Sequence, residues 1–560
     1  MITIAKYIAE FLRKKGIKLL PVFQGGAVMH LIDAVGENKK LDYFVPYHEQ
    51  ALSMQVDTMS RLNGFGAGMA TSGPGATNLL TGVCSAFYDS IPCFYFTGQV
   101  GQIHLKKNRG VRQLGFQETD VYNIFKPITK YCVQINDPKM IKYELEKGFF
   151  MAKNDRPGPV VFDIPYNIQR FKIFPAKLKG FKTPKIKQKI SEQNKKIKNL
   201  ISLVNNSKKP LILAGGGIKR AGKRKEFLKF IKKYNFPFVT TWMSQDLTEY
   251  NFKNYNGSIG KNGHLSANML TESCDLMICI GQRFAVKNIL KNFGKKAKIV
   301  AIDIDKNELK NGLVKPDLAI KINIKDFFIK IGKFKIKKTS LNWSQEAEKI
   351  KKFYFYPPYI NNNLHPKNKK NYINVYEFFK KISKLVPDKS VLFPDAGANQ
   401  VWFFQSFLQK KGQIIINHSG HSPMGHAVCA SIAGYFSRKN SKIIALIGDG
   451  GLMMNLQEIE FIKANKLPIK IIVLDNRCLG NTKLGNMIAF NGRSHANDGA
   501  NKYYPPDVKK IVNGFGLDFF EFTDGSDKNL KNVFSRFLKV RGPSVLRVNL
   551  SEFQNVIDFN

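Results

Sequence analysis

The sequence predicts an α/β protein of three domains, each a parallel sheet flanked by helices, and three observations predict it. Its 560 residues correspond to roughly three domains at ~100–200 residues each. The run Ser441-Lys-Ile-Ile-Ala-Leu-Ile-Gly448 reads as a short buried strand that stops at Gly448-Asp449-Gly450-Gly451. Residues Asn455–Asn465 then have helical spacing, and a second apolar strand, Ile469-Lys-Ile-Ile-Val-Leu-Asp475, ends at Asn476. A strand–helix–strand unit of this kind makes the two strands parallel and puts Asp449 and Asn476 at their carboxyl ends, where open α/β sheets take their ligands. In the middle of the chain, Pro210-Leu-Ile-Leu-Ala-Gly-Gly-Gly217, Asp275-Leu-Met-Ile-Cys-Ile-Gly281 and Lys298-Ile-Val-Ala-Ile-Asp-Ile-Asp305 are further strands separated by helical stretches.

In chain order, Ile2–Gly16 is an amphipathic helix with a glycine stop, too interrupted by charge for a secretory signal. The first domain spans residues 1–170 and closes with Arg156-Pro-Gly-Pro-Val-Val-Phe-Asp-Ile-Pro165, a turn and buried strand. A Lys/Pro-rich linker over 171–190 leads to a Rossmann-like central domain, 191–330. A second basic linker over 331–370 leads to the third domain, 370–560. No apolar stretch is long enough to span a membrane.

Composition excludes little else. Seven scattered cysteines without metal-ligand spacing favour a reducing cytoplasm over a disulfide framework. The formal charge of +46 raises nucleic-acid binding, which requires clustered Lys and Arg. Here the lysines are spread along the chain and concentrated in linkers such as Lys185-Ile-Lys-Gln-Lys189 and Lys333–Lys338, with no zinc-finger or RNP pattern. The expectation is no nucleic-acid partner and no membrane partner, but a basic surface that attracts anionic substrates.

The carboxyl-terminal motif carries chemistry. Gly448, Gly450 and Gly451 let backbone amides approach a diphosphate, while Asp449 and Asn476 offer hard oxygen ligands to Mg²⁺. A solvated turn explains most isolated Gly-Asp-Gly runs, and the flanking strand, helix and Asn476 argue against it here. With Met454-Asn-Leu-Gln-Glu458, Leu467-Pro-Ile-Lys-Ile471 and Leu479-Gly480, this segment resembles the thiamine diphosphate (ThDP) enzymes, specifically the acetolactate synthase family. The resemblance implies that Asp449 and Asn476 bind Mg²⁺, joined by the backbone carbonyl of Cys478, whose thiol is not implicated. It also matches Asp395-Ala-Gly-Ala-Asn-Gln-Val-Trp402 to the family's diphosphate-contacting turn, with two polar contacts altered to Ala398 and Asn399. Gly420-His-Ser-Pro-Met-Gly425 is similar to the stretch whose methionine props the bent cofactor, which gives Met424 that role. His418, His421 and His426 also suggest a metal cluster, but they overlay this propping segment, and His421 reads better as an acid/base residue facing the cofactor.

A second block lies near the N-terminus. Tyr47-His-Glu-Gln-Ala51, Ala70-Thr-Ser-Gly-Pro-Gly-Ala-Thr-Asn78, Asp89-Ser-Ile-Pro92 and Thr97-Gly-Gln-Val100 look like the family's cofactor-activating domain. The resemblance makes the first and third domains one ThDP-binding fold used twice, around the Rossmann-like domain. It also assigns Glu49 the activating role. A carboxyl hydrogen-bonded to the pyrimidine N1′ stabilises the imino tautomer, whose nitrogen removes the thiazolium C2 proton, and this needs a poorly solvated pocket. By the same likeness, Phe23-Gln-Gly-Gly-Ala-Val-Met29 places Gly26 and Ala27 beside the reacting carbon, and Gly115-Phe-Gln-Glu118 places Phe116 and Gln117 over the thiazolium.

The acceptor side departs from the family. Its bulky Trp falls at Gly485, its nearby Met at Asn481, and its Pro-Lys pair at Pro165-Tyr166. Losing an indole removes roughly 150–250 Å² of contact surface. A basic run, Lys106-Lys-Asn-Arg-Gly-Val-Arg112, replaces a neutral segment. The expectation is a ThDP- and Mg²⁺-dependent carboligase that decarboxylates a 2-oxo acid such as pyruvate. The two-carbon unit passes to an acceptor carbonyl, with a phosphorylated or nucleotide-linked keto sugar as a candidate larger than pyruvate. A non-ligating decarboxylase or lyase, and a silent ThDP-fold binding protein, are the alternatives. The family's site lies between subunits, which implies a homodimer or homotetramer. FAD stays open. Gly215–Gly217, Gly260-Lys-Asn-Gly263, Gly281-Gln-Arg-Phe284 and Arg156 fall where acetolactate synthases contact a flavin, yet two of those motifs are altered and the glycines also suit plain backbone packing.

Overall fold

The structure, a computed structural model, describes residues 1–107, 109–184, 190–356 and 373–559. The basic run Lys185–Lys189, Asn108 and the last third of the expected linker, 357–370, lie outside the described residues.

Three parallel sheets are present. The first orders its strands Gly66–Ala70, Cys93–Gln99, Val160–Pro165, Tyr131–Gln134. A parallel bridge from Val22 to Met69 adds the pair Leu19–Pro21 and Asp42–Phe44. The second runs Tyr255–Ser258, Phe238–Thr240, Pro210–Ala214, Leu276–Ile280, Lys298–Asp303, Leu318–Lys321, all parallel. Numbered within the domain this is 3-2-1-4-5-6, the doubly wound dinucleotide-fold order. The third runs Ile414–Ile415, Ser390–Pro394, Lys442–Gly448, Lys470–Asp475, Ser544–Asn549, Asp518–Phe522. Counted within their own domains, the first and third sheets share the order 2-1-3-4-6-5. One strand topology is therefore used twice.

Local chemistry explains the elements. The first helix, Ile4–Lys14, is capped by the Thr3 hydroxyl accepting Lys6 N–H, and it stops at Gly16 with φ +89°. The strands are continuous runs of Val, Ile, Leu and Phe because both faces are covered. Two differences from the sequence reading are informative. The segment read as a linker after residue 330 contains the helix Leu341–Tyr354, capped by Ser340, with Trp343 buried and its Nε1–H donating to Pro210 O at 2.9 Å. Apolar Trp343, Ala347 and Ile350 at helical spacing outweigh the lysines between them. In the segment read as the first linker, Lys172–Ile173 pairs antiparallel with Ile2–Thr3.

The chain divides into two compact units. Met1–Ile186, His418–Ile443 and Gly451–Ile469 form one; Lys187–Asn417, Ile444–Gly450 and Lys470–Asn560 form the other. The third domain's sheet thus belongs mainly to the second unit, while its helices His426–Ser437 and Glu458–Ala464 belong to the first. Helix His426–Ser437 is buried over nearly all of its length. Its small residues Ala427, Cys429, Ala430 and Ala433 let it lie along the equally buried helix Glu49–Asn63, where Cys429 meets Ala51 and Met54.

Candidate active site

In the first unit, Glu49 is the first residue of helix Glu49–Asn63 and is 8% exposed. His48 precedes it as N-cap, its Nδ1 accepting Gln50 N–H at 3.0 Å. The turn Thr71–Asn78 packs against Glu49, Gly25 and Gln117. Asn78 Nδ2–H donates to Glu49 Oε2 at 3.0 Å. A Cβ on Gly75 would stand 3.3 Å from Glu49 Oε1, so glycine there leaves that oxygen uncovered. Gly25, in the loop carrying Gly26 and Ala27, sits so close to Thr71 that a Cβ would lie 2.5 Å from its Cβ. Gln169 Nε2–H holds that loop by donating to Ala27 O at 2.7 Å.

Gln117, with φ +61°, packs on Gly73, where a Cβ would lie 2.9 Å away. Phe116 beside it is 87% exposed. The Glu118 carboxylate shapes this loop by accepting Lys106 N–H at 2.6 Å and Leu114 N–H at 2.9 Å. Met424 is half-buried, next to Gly425, whose carbonyl accepts Asn455 Nδ2–H at 3.2 Å. Gln50 Nε2–H donates in turn to Asn455 Oδ1 at 3.2 Å.

The histidines form a different arrangement. Asp57, His418 and His426 are buried with ligand atoms within 4.8 Å of one another, a spacing a metal ion could use. Arg61, however, ion-pairs with Asp57 at 2.7 Å and Asp89 at 2.8 Å, and its Nη2 lies 3.3 Å from His418 Nδ1. A guanidinium only donates, so His418 Nδ1 accepts, and its Nε2 lies 3.3 Å from Asp57 Oδ2. Burial, with Arg61 nearby, pushes both His418 and His426 well below the usual histidine range. His421 is exposed and stacks on Tyr88.

Strand Lys442–Gly448 feeds a short helix, Asp449–Met454, and the second unit's Asp449 and Gly450 stand in its first turn, with Gly451 next. Asp at the head of a helix is favoured by its dipole. Asp449 is buried, its Oδ2 has no hydrogen-bond partner, and burial beside Asp475 pushes its carboxyl up to about 7. Asp475 itself is paired with Arg547 at 2.7 Å. The side-chain oxygen of Asn476 stands 2.9 Å from Cys478 O and 3.3 Å from Asp449 Oδ1. Rotating the amide would turn these contacts into hydrogen bonds. A divalent cation accounts for all three oxygens as they stand, because neighbouring oxygens around Mg²⁺ at ~2.1 Å lie roughly 3 Å apart. It would also satisfy the uncompensated Asp449 carboxylate. The donor set therefore fits Mg²⁺. The Cys478 thiol, pushed up to about 12 chiefly by burial, stays neutral. Asn399 is buried near the start of helix Ala398–Ser406, its Nδ2 3.4 Å from Leu446 O. Gly448 borders open space, with nothing within 4 Å of an added Cβ.

The flavin positions divide. A Cβ on Gly215 would lie 2.2 Å from Gly281 O, one on Gly263 2.3 Å from Ser258 O, and one on Gly260 2.5 Å from Lys287 O. These glycines are required by the chain's own packing. Lys261 and Asn262, between two of these glycines, hold the chain's end, through a Lys261–Asp558 ion pair at 2.9 Å and Asn262 Nδ2–H donating to Ile557 O at 2.9 Å. Arg156 donates to Ser90 Oγ at 2.8 Å. On the other side, the Gln282 amide is buried with neither atom hydrogen-bonded, as a ligand-facing group would be. Flavin absorbance of the purified protein distinguishes the two readings.

Sequence reading assigned no role to Glu458, Asn455 or Asn78. Their signal was present: all three are polar residues inside the matched motifs. Among the described residues no helix is long and apolar enough to cross a membrane, and all seven cysteines are unpaired.

Family models match residues 2–124 (thiamine pyrophosphate enzyme, N-terminal TPP binding domain), 197–331 (central domain) and 395–548 (C-terminal TPP binding domain). The chain is 30% identical to a probable acetolactate synthase large subunit of Methanocaldococcus jannaschii, covering 92% of this chain and 86% of that protein. It is 29% identical to the acetolactate synthase large subunit of Lactococcus lactis, over 85% and 81% of the two chains. It is 28% identical to the acetolactate synthase isozyme 1 large subunit of Escherichia coli, over 99% and 94%.

Proposed function

Because the chain belongs to the thiamine pyrophosphate enzymes, of the acetolactate synthase large-subunit type, we propose that it transfers the two-carbon unit of pyruvate to an acceptor carbonyl larger than pyruvate. It is a ThDP-dependent carboligase with ThDP and Mg²⁺ as cofactors. The observation that carries the site reading is the convergence of Asp449, the Asn476 side-chain amide and Cys478 O, a donor set that fits a divalent cation. When bound, the cofactor supplies an electron sink for decarboxylation.

The chain's own residues supply the rest. Asp449, Asn476 and the Cys478 carbonyl hold Mg²⁺, and the amides at Gly448, Gly450 and Gly451 with Asn399 face the diphosphate. Glu49 keeps a proton at the pyrimidine, with Asn78 fixing one of its oxygens. Met424 props the cofactor. Gly26, Ala27, Phe116 and Gln117 line the donor side, and the packing of neighbouring Gly25 and of Gln117 on the Thr71–Asn78 turn supports this grouping. Exposed Ile103, Val111 and Phe116 on one loop are surfaces that a second copy would cover, which supports a homodimer at least.

The acceptor reading rests on Gly485 and on the loop cations. Gly485, in helix Gly480–Ala489, has nothing within 4 Å of an added Cβ, and Ile488 one turn on is 72% exposed. Lys107, Arg109 and Arg112 are exposed on a loop whose own carboxylate, Glu118, is spent on backbone amides. An anionic keto sugar fits that charge. Product analysis with pyruvate plus a panel of phosphorylated, nucleotide-linked and neutral keto sugars tests it.

Gly485→Trp is expected to leave CO₂ release from pyruvate alone intact and to lower ligation to the bulky acceptor by roughly tenfold or more, a shift in discrimination between acceptors. The Cβ position itself is open, so the substitution meets no backbone at its first atom. Single-turnover CO₂ release measured beside product ratios checks this. Equal loss in both half-reactions would mean overpacking and would return pyruvate as the favoured acceptor.

A further inference from the structure

We propose that Glu458 is a positioning residue for Glu49, gripping the chain that leads into it. The proposal rests on the reading of Glu49 as the activating carboxyl. Glu458 opens helix Glu458–Ala464, in the same compact unit as Glu49. Its Oε1 accepts the Tyr47 N–H at 2.8 Å. Tyr47 stands immediately before His48, the N-cap of the helix whose first residue is Glu49. On the far side of Glu49, Gln50 is held by Asn455, which is anchored on Gly425. The residues flanking Glu49 on both sides are thus braced by one short segment, Asn455 to Glu458. That segment follows directly on the helix headed by Asp449.

The cost of Glu458 argues that its grip matters. It is fully buried at 0% exposure, and among the described residues it has no ion-pair partner. Its Oε2 makes no hydrogen bond of ordinary geometry, and the side-chain donor that faces the carboxylate is the buried Gln55 amide. Burial pushes the carboxyl up to about 7, against the opposing backbone N–H donors of Tyr47 and His48 and the Gln55 side chain. An apolar side chain would fill such a site at lower cost. What it could not supply is an acceptor for the Tyr47 N–H, which would then be left unsatisfied. Displacing a reacting group by ~1 Å costs on the order of 10²-fold in rate, so an anchor beside Glu49 is worth its burial.

The test uses the full chain loaded with ThDP and Mg²⁺ and compares Glu458→Leu, Glu458→Gln and Glu49→Gln. ThDP affinity, the rate of C2-proton exchange in D₂O, and kcat and KM for pyruvate are measured for each. Glu458→Leu should bind ThDP as the parent does, yet exchange and kcat should fall by about 10–100-fold with KM little changed. Glu458→Gln keeps an acceptor oxygen and should recover both rates to within a few-fold of the parent. A merely structural role would lower thermal stability without moving exchange per bound cofactor. Parental exchange in Glu458→Leu, or Glu458→Gln as slow as Glu458→Leu, overturns the proposal. If the leucine variant does not fold, Glu458→Asp, which pulls the carboxyl back by one methylene, takes its place; it should slow exchange at unchanged ThDP affinity, and parental exchange there overturns the proposal. Failure of the underlying reading looks different: Glu49→Gln itself would then exchange at the parental rate.

Discussion

Asp449→Ala is expected to abolish retention of ThDP, weakening Mg²⁺-dependent binding by more than about 10²-fold. Changes to groups that merely support a metal ligand typically cost ~10–100-fold in affinity, and loss of the ligand itself removes more. The substitution should not unfold the protein. In the absence of metal, the Asp449 carboxyl is buried beside Asp475, with one oxygen lacking a hydrogen bond. Removing it relieves an unfavourable burial. The thermal midpoint of the cofactor-free variant should therefore hold or rise while cofactor binding disappears, and this separates a lost ligand from a lost fold. Calorimetric titration of ThDP with and without Mg²⁺ gives the decisive reading. Tight, Mg²⁺-dependent binding surviving in Asp449→Ala would remove the residue from the metal site.

Glu49→Gln is expected to keep the fold and bind cofactor, yet to slow exchange of the C2 proton by about 10²–10⁴-fold, the usual worth of general acid–base help. The geometry makes the comparison clean. Asn78 donates to Oε2, a contact the glutamine carbonyl can keep, and the space left beside Oε1 by Gly75 admits an NH₂ group. The variant loses only the ability to pass a proton. NMR in D₂O measures the exchange directly, and an unchanged rate would show that another group performs the activation. Because Asp449→Ala acts on binding and Glu49→Gln on exchange, the pair assigns the two ends of the cofactor independently.

Much of this was legible from residue order alone. Strands read at 210–217, 275–281, 298–305, 441–448 and 469–475 appear as Pro210–Ala214, Leu276–Ile280, Lys298–Asp303, Lys442–Gly448 and Lys470–Asp475. Buried parallel strands are written as unbroken apolar runs, and local pattern suffices to find them. Asp449 and Asn476 were legible for the same reason, since each ends such a run. The basic stretch after residue 330 misled because charge was weighed above spacing; Trp343, Ala347 and Ile350 already marked one face of a helix.

What residue order could not determine is which segments share a core. Helix His426–Ser437 carries no amphipathic pattern that points to a partner, being buried on almost every side. Only the folded chain shows it lying along helix Glu49–Asn63, far away in sequence, in the first compact unit. The same holds for the glycines at 215 and 260, which are obligatory because distant backbone stands where a Cβ would go. It holds for His418, which the fold places against Arg61 and Asp57. Glu458 is the sharpest case: a glutamate on a helix reads as a solvated charge until the fold buries it against Tyr47. Sequence by itself determined the sheets, the cofactor class and the residues that end each strand, because those follow from local polarity and backbone freedom. Tertiary structure alone decided which buried polar groups face one another, because their partners are brought together by burial of apolar surface from opposite ends of the chain.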